Sequence, residues 1–430
     1  MNTFARFLLL LTLMAVLVGA AIAFFLCSLY RVTEAFWAAP WLLYLLPLAG
    51  IVLIWVYDKV GKPVAGGNNL VIHEIHSPGQ GVPLRIAPLI LFGTLWTHLF
   101  GGSAGREGTA IQIAGGICSK LSRMAGLEKR QSRILLIASI AAGFGAVFGT
   151  PITGAVFAME VLTRGKVRWR AILPCLYASF VADRTALFLG TYHTQYRIDS
   201  ALGLFGSVSF PYVDGWLWVQ VIGLGILCGL VSFLYVELAY FLNKFWNGTI
   251  RWRLLRPAAA GAVILVLVWV LGTRDYLGLG VTTADGTGDS IVNAFTEGGV
   301  TPLAWFWKLV FTAITLSAGF KGGEVTPLFF MGATFGNFVA MQIGAPVELF
   351  AAMAFVAVFA GATNTPLACA IMGMELFGVE FAAYFLVTCY VAYFTSGNTG
   401  IYLAQRMKRR PTMTLEQHRA KFRKLRPRLR

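Results

Sequence analysis

Long apolar runs separated by short polar loops alternate along almost the whole chain. A bilayer core of about 30 Å requires ~20 apolar residues for each helical span. Several runs are shorter than this or are interrupted by glycine or proline, and such helices are tolerated where they line a cavity inside the protein. The pattern therefore predicts an all-α polytopic membrane protein with short, tilted and interrupted helices. The candidate segments are 7–29, 40–57, 86–100, 133–163, 171–190, 216–243, 257–272, 302–320, 328–342, 347–361 and 380–395.

The composition supports this class. Apolar residues make up 57% of the chain, charged residues only 13%, and the mean hydropathy is +0.70, whereas soluble domains carry about 25% charged residues. The first apolar run continues to about residue 29, which is longer than a signal-peptide core, so we expect it to remain as a first helix. The six cysteines stand alone in apolar stretches. They are interpreted as small packing residues rather than as disulfides or metal ligands.

The basic residues show which loops face the cytoplasm. The net charge is +16, and much of it lies in the loops 164–170 and 251–256 and in the tail 408–430. Cytoplasmic loops of membrane proteins carry such an excess, so nucleic-acid binding is not needed to explain it. We expect a cytoplasmic tail that can contact anionic lipid. Without a sorting signal or a soluble domain in the sequence, a bacterial inner membrane is the expected location.

A weak internal repeat divides the chain. In each half a Gly-Gly loop with an acidic residue precedes an apolar helix, and a Thr-Pro followed by an apolar run and Met-Glu comes later. Two such halves suggest an inverted repeat with the substrate site where the halves meet, although Gly-rich apolar sequence can also produce chance similarity. The repeated elements are 101–116 and 149–160 in the first half, and 322–336 and 364–375 in the second.

We therefore expect three parts: a first membrane half at 1–200, a second at 201–407, and the tail at 408–430. The polar stretch 191–206 is a candidate connection between the halves. The loop 273–299 is expected not to span the membrane.

Glu107 is the first candidate functional residue. It precedes an apolar helix expected to begin near Thr109, and backbone N–H groups at a helix start are unpaired and carry positive dipole. Glycines let the backbone approach a ligand, so the loop resembles an anion site. A carboxylate there can act as a tethered anion that leaves when protonated, which would couple anion and proton movement. The alternative is a helix-capping acid paired with Arg106. The glycines are Gly101, Gly102, Gly105 and Gly108.

Glu324 and Thr326 are the second candidates. Thr326-Pro327 is typical of a helix start, the threonine hydroxyl can donate to an anion, and a buried Glu324 can hold a proton. An ion pair between Glu324 and Lys321 is the alternative.

Asn68 and Asn69 follow Gly66 and Gly67 and supply neutral amide donors at the start of an apolar helix, unless Asn68 is simply a helix cap. Tyr402 can point its hydroxyl at a buried anion, or it can be an interfacial anchor.

Two further sets of residues are interpreted as structural. Glu160 and Glu375 are expected to pair with nearby basic loops. His73, Glu74 and His76 invite a metal site, but the sequence has no HExxH motif and only five histidines. We expect no metal, no cofactor and no ATP site, since no phosphate-binding loop motif is present.

Together these motifs resemble the CLC family of chloride channels and anion/proton antiporters. GREGT at 105–109 is similar to the family's GREGP loop, and the resemblance covers most of residues 50–406. It implies that Glu107 is the external gating glutamate. It also implies that Tyr402 coordinates the anion, and that each subunit of a homodimer holds its own pathway.

Departures from the common family pattern favour one branch. The first signature is GGNNL at 66–70 rather than GSGIP, the third is GGEVTP at 322–327 rather than GxFxP, and Val161 stands where chloride antiporters carry an inner proton glutamate. GNN with GGEVTP resembles the fluoride-exporting branch. The resemblance implies a fluoride/proton antiporter with Glu107 and Glu324 in gating and proton coupling. The implied anion-binding residues are Gly67, Asn68, Asn69, Gly105, Arg106, Gly108, Thr326 and Tyr402.

Two rival functions stay open at this point. A chloride/proton antiporter or a passive anion channel of the same fold is the first. A membrane-embedded enzyme is the second, and it would need a nucleophile–base pair or a metal cluster, which the sequence motifs do not indicate.

Overall fold

The computed structural model describes residues 3–64, 66–79, 81–194, 198 and 215–406. Across these residues the regular structure consists of fifteen α-helices and five short 3₁₀-helices, which confirms the predicted all-α class. The α-helices are α1 (Thr3–Ala38), α2 (Leu46–Val60), α3 (Asn68–His76), α4 (Ile86–Leu99), α5 (Glu107–Met124), α6 (Lys129–Phe148), α7 (Pro151–Glu160), α8 (Ile172–Phe188), α9 (Gly215–Thr249), α10 (Leu255–Leu271), α11 (Ala304–Ser317), α12 (Val325–Ile343), α13 (Val347–Thr363), α14 (Pro366–Phe377) and α15 (Ala382–Thr395).

Helix length varies widely, as the interrupted apolar pattern predicts. Five helical segments of the described chain are long and apolar enough to cross a membrane by length and composition, and other apolar helices have only 10–17 residues. The first of the five extends well beyond the predicted run 7–29. The five segments are Phe4–Ala38, Pro40–Val60, Lys129–Phe148, Trp169–Phe188 and Gly215–Thr249.

The apolar stretch 133–163 contains two helices, where the hydrophobic pattern alone suggested one candidate. α6 ends at Gly149, whose φ of 72° is left-handed, and α7 begins two residues later at Pro151. The second half repeats this corner, because Asn364 ends α13 with a φ of 58° and α14 begins at Pro366. Glycine and asparagine are the residues that adopt this conformation most readily. The sequence pairs GTP and NTP therefore encode the same turn twice.

α7 and α14 pack antiparallel and hold each other's N-termini. The Glu160 carboxylate at the end of α7 accepts hydrogen bonds from the backbone N–H groups of Leu367 (3.2 Å) and Ala368 (2.8 Å) at the start of α14. The Glu375 carboxylate accepts reciprocally from the N–H groups of Ile152 (2.9 Å) and Thr153 (2.7 Å) at the start of α7. The expectation that these two glutamates pair with basic loops was wrong. The unpaired N–H groups and positive dipole of each helix start attract the carboxylates instead.

α13 forms the centre of the hydrophobic core. All of its residues except Glu348 are buried, and it packs against α9, α12, α14 and α15. A helix that is apolar on every side is suited to the interior of a bundle.

Some expectations lie outside the described residues. The connecting stretch 191–206 is described only at 191–194 and 198, and the tail 408–430 is not described. The division at 1–200, 201–407 and 408–430 therefore stays a prediction.

The reciprocal capping predicts that Glu160→Ala destabilises the protein more than Glu128→Ala does. Glu160→Ala leaves two N–H groups of α14 unpaired inside the protein, at about 1–3 kcal/mol for each unsatisfied group. We expect thermal unfolding in detergent to show a clearly lower Tm. Glu128→Ala is the matched control, because Glu128 is exposed and its side chain makes no cap bond. Equal unfolding temperatures for the two variants would contradict the capping role.

Candidate anion and proton site

Two Gly-rich loops, one that contains Gly105 and one that contains Gly323, pair inside the protein. The N–H of Gly105 donates to the carbonyl of Gly323 at 2.7 Å, and the N–H of Gly323 donates back to the carbonyl of Gly105 at 2.8 Å. α5 and α12 begin just after these loops, so two helix N-termini converge here. A side chain at Gly323 would collide with the Glu107 carboxylate, which explains the requirement for glycine.

The Glu107 carboxylate lies at this convergence and is 1% exposed. Its Oε1 accepts hydrogen bonds from the N–H groups of Glu324 (2.5 Å) and Val325 (2.9 Å) at the start of α12. It also faces the N–H groups of Glu107 and Gly108 on its own helix. The carboxylate therefore occupies a helix-terminus anion site as a tethered anion. The sequence predicted such a site on α5, and the structure adds the N-terminus of α12.

Arg106 precedes Glu107 and contacts the aromatic side chain of Phe148. Its guanidinium lies over the Phe148 ring, with the central carbon 5.4 Å from the ring centroid.

Three buried oxygens around the carboxylate have no hydrogen-bond partner among the described residues: Oε2 of Glu107, the Thr326 hydroxyl and the Tyr402 hydroxyl. Thr326 is 2% exposed and Tyr402 is 5% exposed. Native proteins seldom leave buried polar atoms unpaired, and such a group marks a place for a water or an ion. Thr326 and Tyr402, both predicted to bind the anion, thus have hydroxyl groups near the site that are free to form a hydrogen bond.

Asn68 and Asn69 have different positions. Asn68 begins α3, its amide nitrogen faces Gly108, and its amide oxygen accepts a hydrogen bond from Gln112 at 3.1 Å. The Asn69 oxygen accepts from the N–H of Ala404 at 2.8 Å, which ties α3 to the segment that carries Tyr402. The structure brings Asn68 to the Glu107 loop and gives Asn69 a positioning role.

Gln112 is a residue that the motif analysis missed. Its amide nitrogen also donates to the carbonyl of Gly108 at 3.1 Å, and it faces Gly67, whose φ is 54°. Its spacing of four residues from Gly108 on a helix was the signal that could have revealed it.

Glu324 is the N-cap residue of α12, and its side chain makes no cap hydrogen bond. The side chain faces the Tyr235 hydroxyl on α9 instead. The alternative ion pair with Lys321 is absent from the ion pairs of the described residues. The Lys321 ammonium lies instead over the Tyr57 ring, 4.7 Å from its centroid.

An aromatic cluster lies beside the site and was not predicted. Its rings contact one another in stacked, tilted or edge-on pairs, and Phe157 also contacts the Tyr402 ring edge-on with centroids 6.3 Å apart. Phe148, Phe329 and Phe355 line the small cavity that Thr326 also lines. Its members are Phe144, Phe148, Phe157, Phe329, Phe355 and Phe359.

A small cavity lies beside Thr326. A cavity of about 20 Å³, enough for one water, is lined by Thr326, Arg106 and Thr194. Arg106 and Thr194 also line a much larger cavity of about 1750 Å³. The small cavity at Thr326 and the large cavity therefore share two lining residues.

Two of the three residues considered for a metal, His76 and Glu74, have other contacts. A ring nitrogen of His76 lies 2.8 Å from the carbonyl of Leu162, and the other lies 3.3 Å from the Arg168 guanidinium. The Glu74 carboxylate accepts from the N–H of Gly79 at 2.7 Å.

Comparison with known proteins places this architecture in a class of anion transport proteins. The family model described as voltage gated chloride channel matches residues 48–397. The chain belongs to this family, which confirms the resemblance drawn from the sequence motifs.

Particular relatives are more informative than the family. The chain is 44% identical to the "Chloride/fluoride channel protein" of Pseudomonas syringae pv. tomato, over 94% of this chain and 87% of that protein. The crystal structure of a CLC-type fluoride/proton antiporter matches with a TM-score of 0.86 and 32% identity, over 95% of this chain and 100% of the other. A slow cyanobacterial Cl⁻/H⁺ antiporter shares the fold, with a TM-score of 0.75 at 18% identity over 92% and 96%.

The unpartnered threonine predicts a selective effect on anion binding. Thr326→Val keeps the shape of the side chain and removes the hydroxyl. Because a hydrogen bond to a charged group contributes about 1.5–3 kcal/mol, fluoride affinity measured by calorimetry should fall roughly tenfold or more.

Thr334→Val is the control on the same helix, because its buried hydroxyl is already bonded to the carbonyl of Phe330 at 2.7 Å. Equal anion affinities of Thr326→Val and Thr334→Val would contradict the assignment of Thr326 to the anion site.

Proposed function

We propose that this protein is a secondary active fluoride/proton antiporter that exports fluoride from the cytoplasm. The observation that carries the proposal is the Glu107 carboxylate, lodged as a tethered anion on the N-terminus of α12. The named activities of the 44% identical relative and of the 32% identical structure support it.

Proton coupling follows from the charge of Glu107. The N–H groups of Glu324 and Val325 stabilise the ionised carboxylate. A proton on that carboxylate removes the charge they stabilise, so the side chain can leave and a free anion can take its place. When the anion departs, the carboxylate loses its proton and returns. The Glu107 carboxylate and the free anion thus alternate at one position, which links anion binding to protonation of Glu107.

Fluoride, rather than chloride, fits the donors near this position. A small anion holds its water strongly, and a site must replace that water with closely placed donors. Helix N–H groups, the Thr326 hydroxyl and the Asn68 amide are donors of this kind. Glu324, whose own N–H group binds Glu107, is placed to share the proton path.

The proposal also covers the location of the protein in the cell and its oligomeric state. We propose a homodimer in a bacterial inner membrane, with one pathway in each subunit. The basic loops 164–170 and 251–256 then face the cytoplasm. The relatives are described as a channel protein and an antiporter, which supports a role in transport.

A passive anion channel or chloride exchanger of the same fold is the second candidate. The printed description of the Pseudomonas relative as a channel protein favours it. The two candidates differ in whether anion movement drives protons and in which anion moves.

Ion flux from liposomes separates these candidates. Liposomes that contain the protein are loaded with fluoride or with chloride, and the release of each ion and the uptake of protons are recorded with electrodes. We expect rapid fluoride release that drives proton uptake against a pH gradient, with much slower chloride release.

Protein-free liposomes give the leak, and Glu107→Gln should lose the proton uptake. Chloride release as fast as fluoride release would contradict the fluoride assignment. Fluoride release without proton uptake would make the protein a channel.

A further inference from the structure

Gln112 lies on α5 one helical turn after Gly108, and its side-chain amide connects two groups of the candidate site. The residue is 6% exposed. Its Nε2 donates to the carbonyl of Gly108 at 3.1 Å and to Oδ1 of Asn68 at 3.1 Å. An amide NH2 group carries two hydrogens, so it can form both bonds at once. Gln112 therefore joins the first turn of α5 to the start of α3.

These two hydrogen bonds determine the orientation of both amides. A backbone carbonyl only accepts hydrogen bonds, so the Gln112 group that faces Gly108 is the NH2 group and not the oxygen. The Asn68 atom that faces the same NH2 group must be an acceptor, which is Oδ1. The NH2 group of Asn68 therefore points away from Gln112.

The NH2 group of Asn68 lies beside the loop that holds the Glu107 carboxylate. A Cβ at Gly108 would come within 2.9 Å of the Asn68 amide nitrogen and 3.3 Å of the Gly323 Cα. A Cβ at Gly323 would in turn collide with the Glu107 carboxylate. No hydrogen bond joins the Asn68 NH2 group to another residue of the described chain. The group is therefore available to an anion bound at this loop.

The orientation of the Asn68 amide decides whether it attracts or repels an anion. Its NH2 group can donate to fluoride, whereas its oxygen can only accept and would repel the ion. The Gly108 carbonyl holds the Gln112 NH2 group, and that group holds the Asn68 oxygen. The donating orientation is thus stabilised before the anion arrives. Such preorganisation raises affinity because less freedom is lost on binding.

We propose that Gln112 is a positioning residue that fixes the Asn68 amide with its NH2 group toward the bound anion. This inference rests on the proposed function, because it takes fluoride as the anion that replaces the Glu107 carboxylate. Gln112 acts through Asn68 and needs no contact with the anion. The Asn68 oxygen keeps its hydrogen bond to Gln112 when the anion binds, so the bound state leaves no amide oxygen unpaired.

A purely structural role of Gln112 makes a different prediction. The bond from Gln112 to the Gly108 carbonyl lies within one turn of α5 and would then serve only to stabilise that turn. Loss of the Gln112 amide would weaken anion binding equally with and without the Asn68 amide. If Gln112 acts through Asn68, its loss matters only while Asn68 is present. A double-mutant cycle separates the two roles.

The experiment measures fluoride affinity by calorimetry for the wild type, Gln112→Met, Asn68→Ala and the double variant. Methionine resembles glutamine in length, and its thioether has no hydrogen to donate. The bound Asn68 amide in Gln112→Met leaves its oxygen unpaired, so affinity should fall roughly fivefold or more. Asn68→Ala should lower it roughly tenfold or more. In the Asn68→Ala background, Gln112→Met should change the affinity by less than about twofold.

Ser119→Ala is the matched control on α5. The Ser119 hydroxyl accepts a hydrogen bond from the N–H of Val82 at 3.1 Å, in the segment between α3 and α4. This variant also removes a bond between α5 and the chain that follows α3, and its fluoride affinity should equal that of the wild type. Gln112→Asn, whose shorter side chain withdraws the NH2 group from Asn68, takes the place of Gln112→Met if the latter does not fold.

Wild-type fluoride affinity in Gln112→Met would overturn the inference. Equal losses with and without the Asn68 amide would also overturn it, and would assign Gln112 to the stability of the first turn of α5. Absence of fluoride binding by the wild type would refute the proposed function and the inference with it. That result is distinct, because the wild type alone gives it before any variant is compared.

Discussion

The contact of the Glu107 carboxylate with the N-terminus of α12 is the interaction on which the site depends. A carboxylate buried this deeply needs donors, and the N–H groups of Glu324 and Val325 supply them. The paired Gly105 and Gly323 backbones bring the two halves close enough for this contact. The same closeness leaves the Thr326 hydroxyl unpaired beside it. The first half therefore supplies the tethered anion, and the second half supplies most of its binding site.

A glutamate carboxylate binds the N-terminus of a helix at three places in the structure, with different consequences. Glu160 and Glu375 also lie on helix N-termini, and each uses both of its carboxylate oxygens in hydrogen bonds. Glu107 uses Oε1 alone, while Oε2 has no partner in the described part of the chain. A cavity that reaches Thr326 lies near Glu107. Because both oxygens of Glu160 and of Glu375 are hydrogen-bonded, these two contacts stabilise the fold. Because Glu107 is only partly hydrogen-bonded and lies near a cavity, it is suitable as a gate.

Much of this arrangement was predictable from local chemistry. Glycine spacing and a carboxylate before an apolar helix indicated Glu107, and Thr326-Pro327 indicated the start of α12. The repeated Thr-Pro and Met-Glu elements indicated two related halves, since each begins and ends a short helix. These features depend on neighbours in sequence, so the sequence pattern carries them.

Contacts between segments that are distant in sequence were harder to predict. Glu160 bonds to residues more than 200 positions away, and basic loops next to it in sequence suggested the wrong partner. Asn69 contacts the N–H of Ala404, which no local pattern reveals. The six-ring phenylalanine cluster and Tyr235 are apolar or aromatic residues in an apolar sequence. Their proximity to the site arises from packing alone.

Competition between the Glu107 carboxylate and free fluoride is the central claim, and calorimetric fluoride binding as a function of pH tests it most directly. A proton on Glu107 vacates the helix N-terminus, so proton and fluoride binding favour each other. Over the pH range in which Glu107 titrates, the wild-type affinity should rise as pH falls, by up to about tenfold per pH unit for one linked proton. In Glu107→Gln the affinity should be high and independent of pH. A wild-type affinity that stays constant from pH 5 to 8, equal to that of Glu107→Gln, would contradict the account.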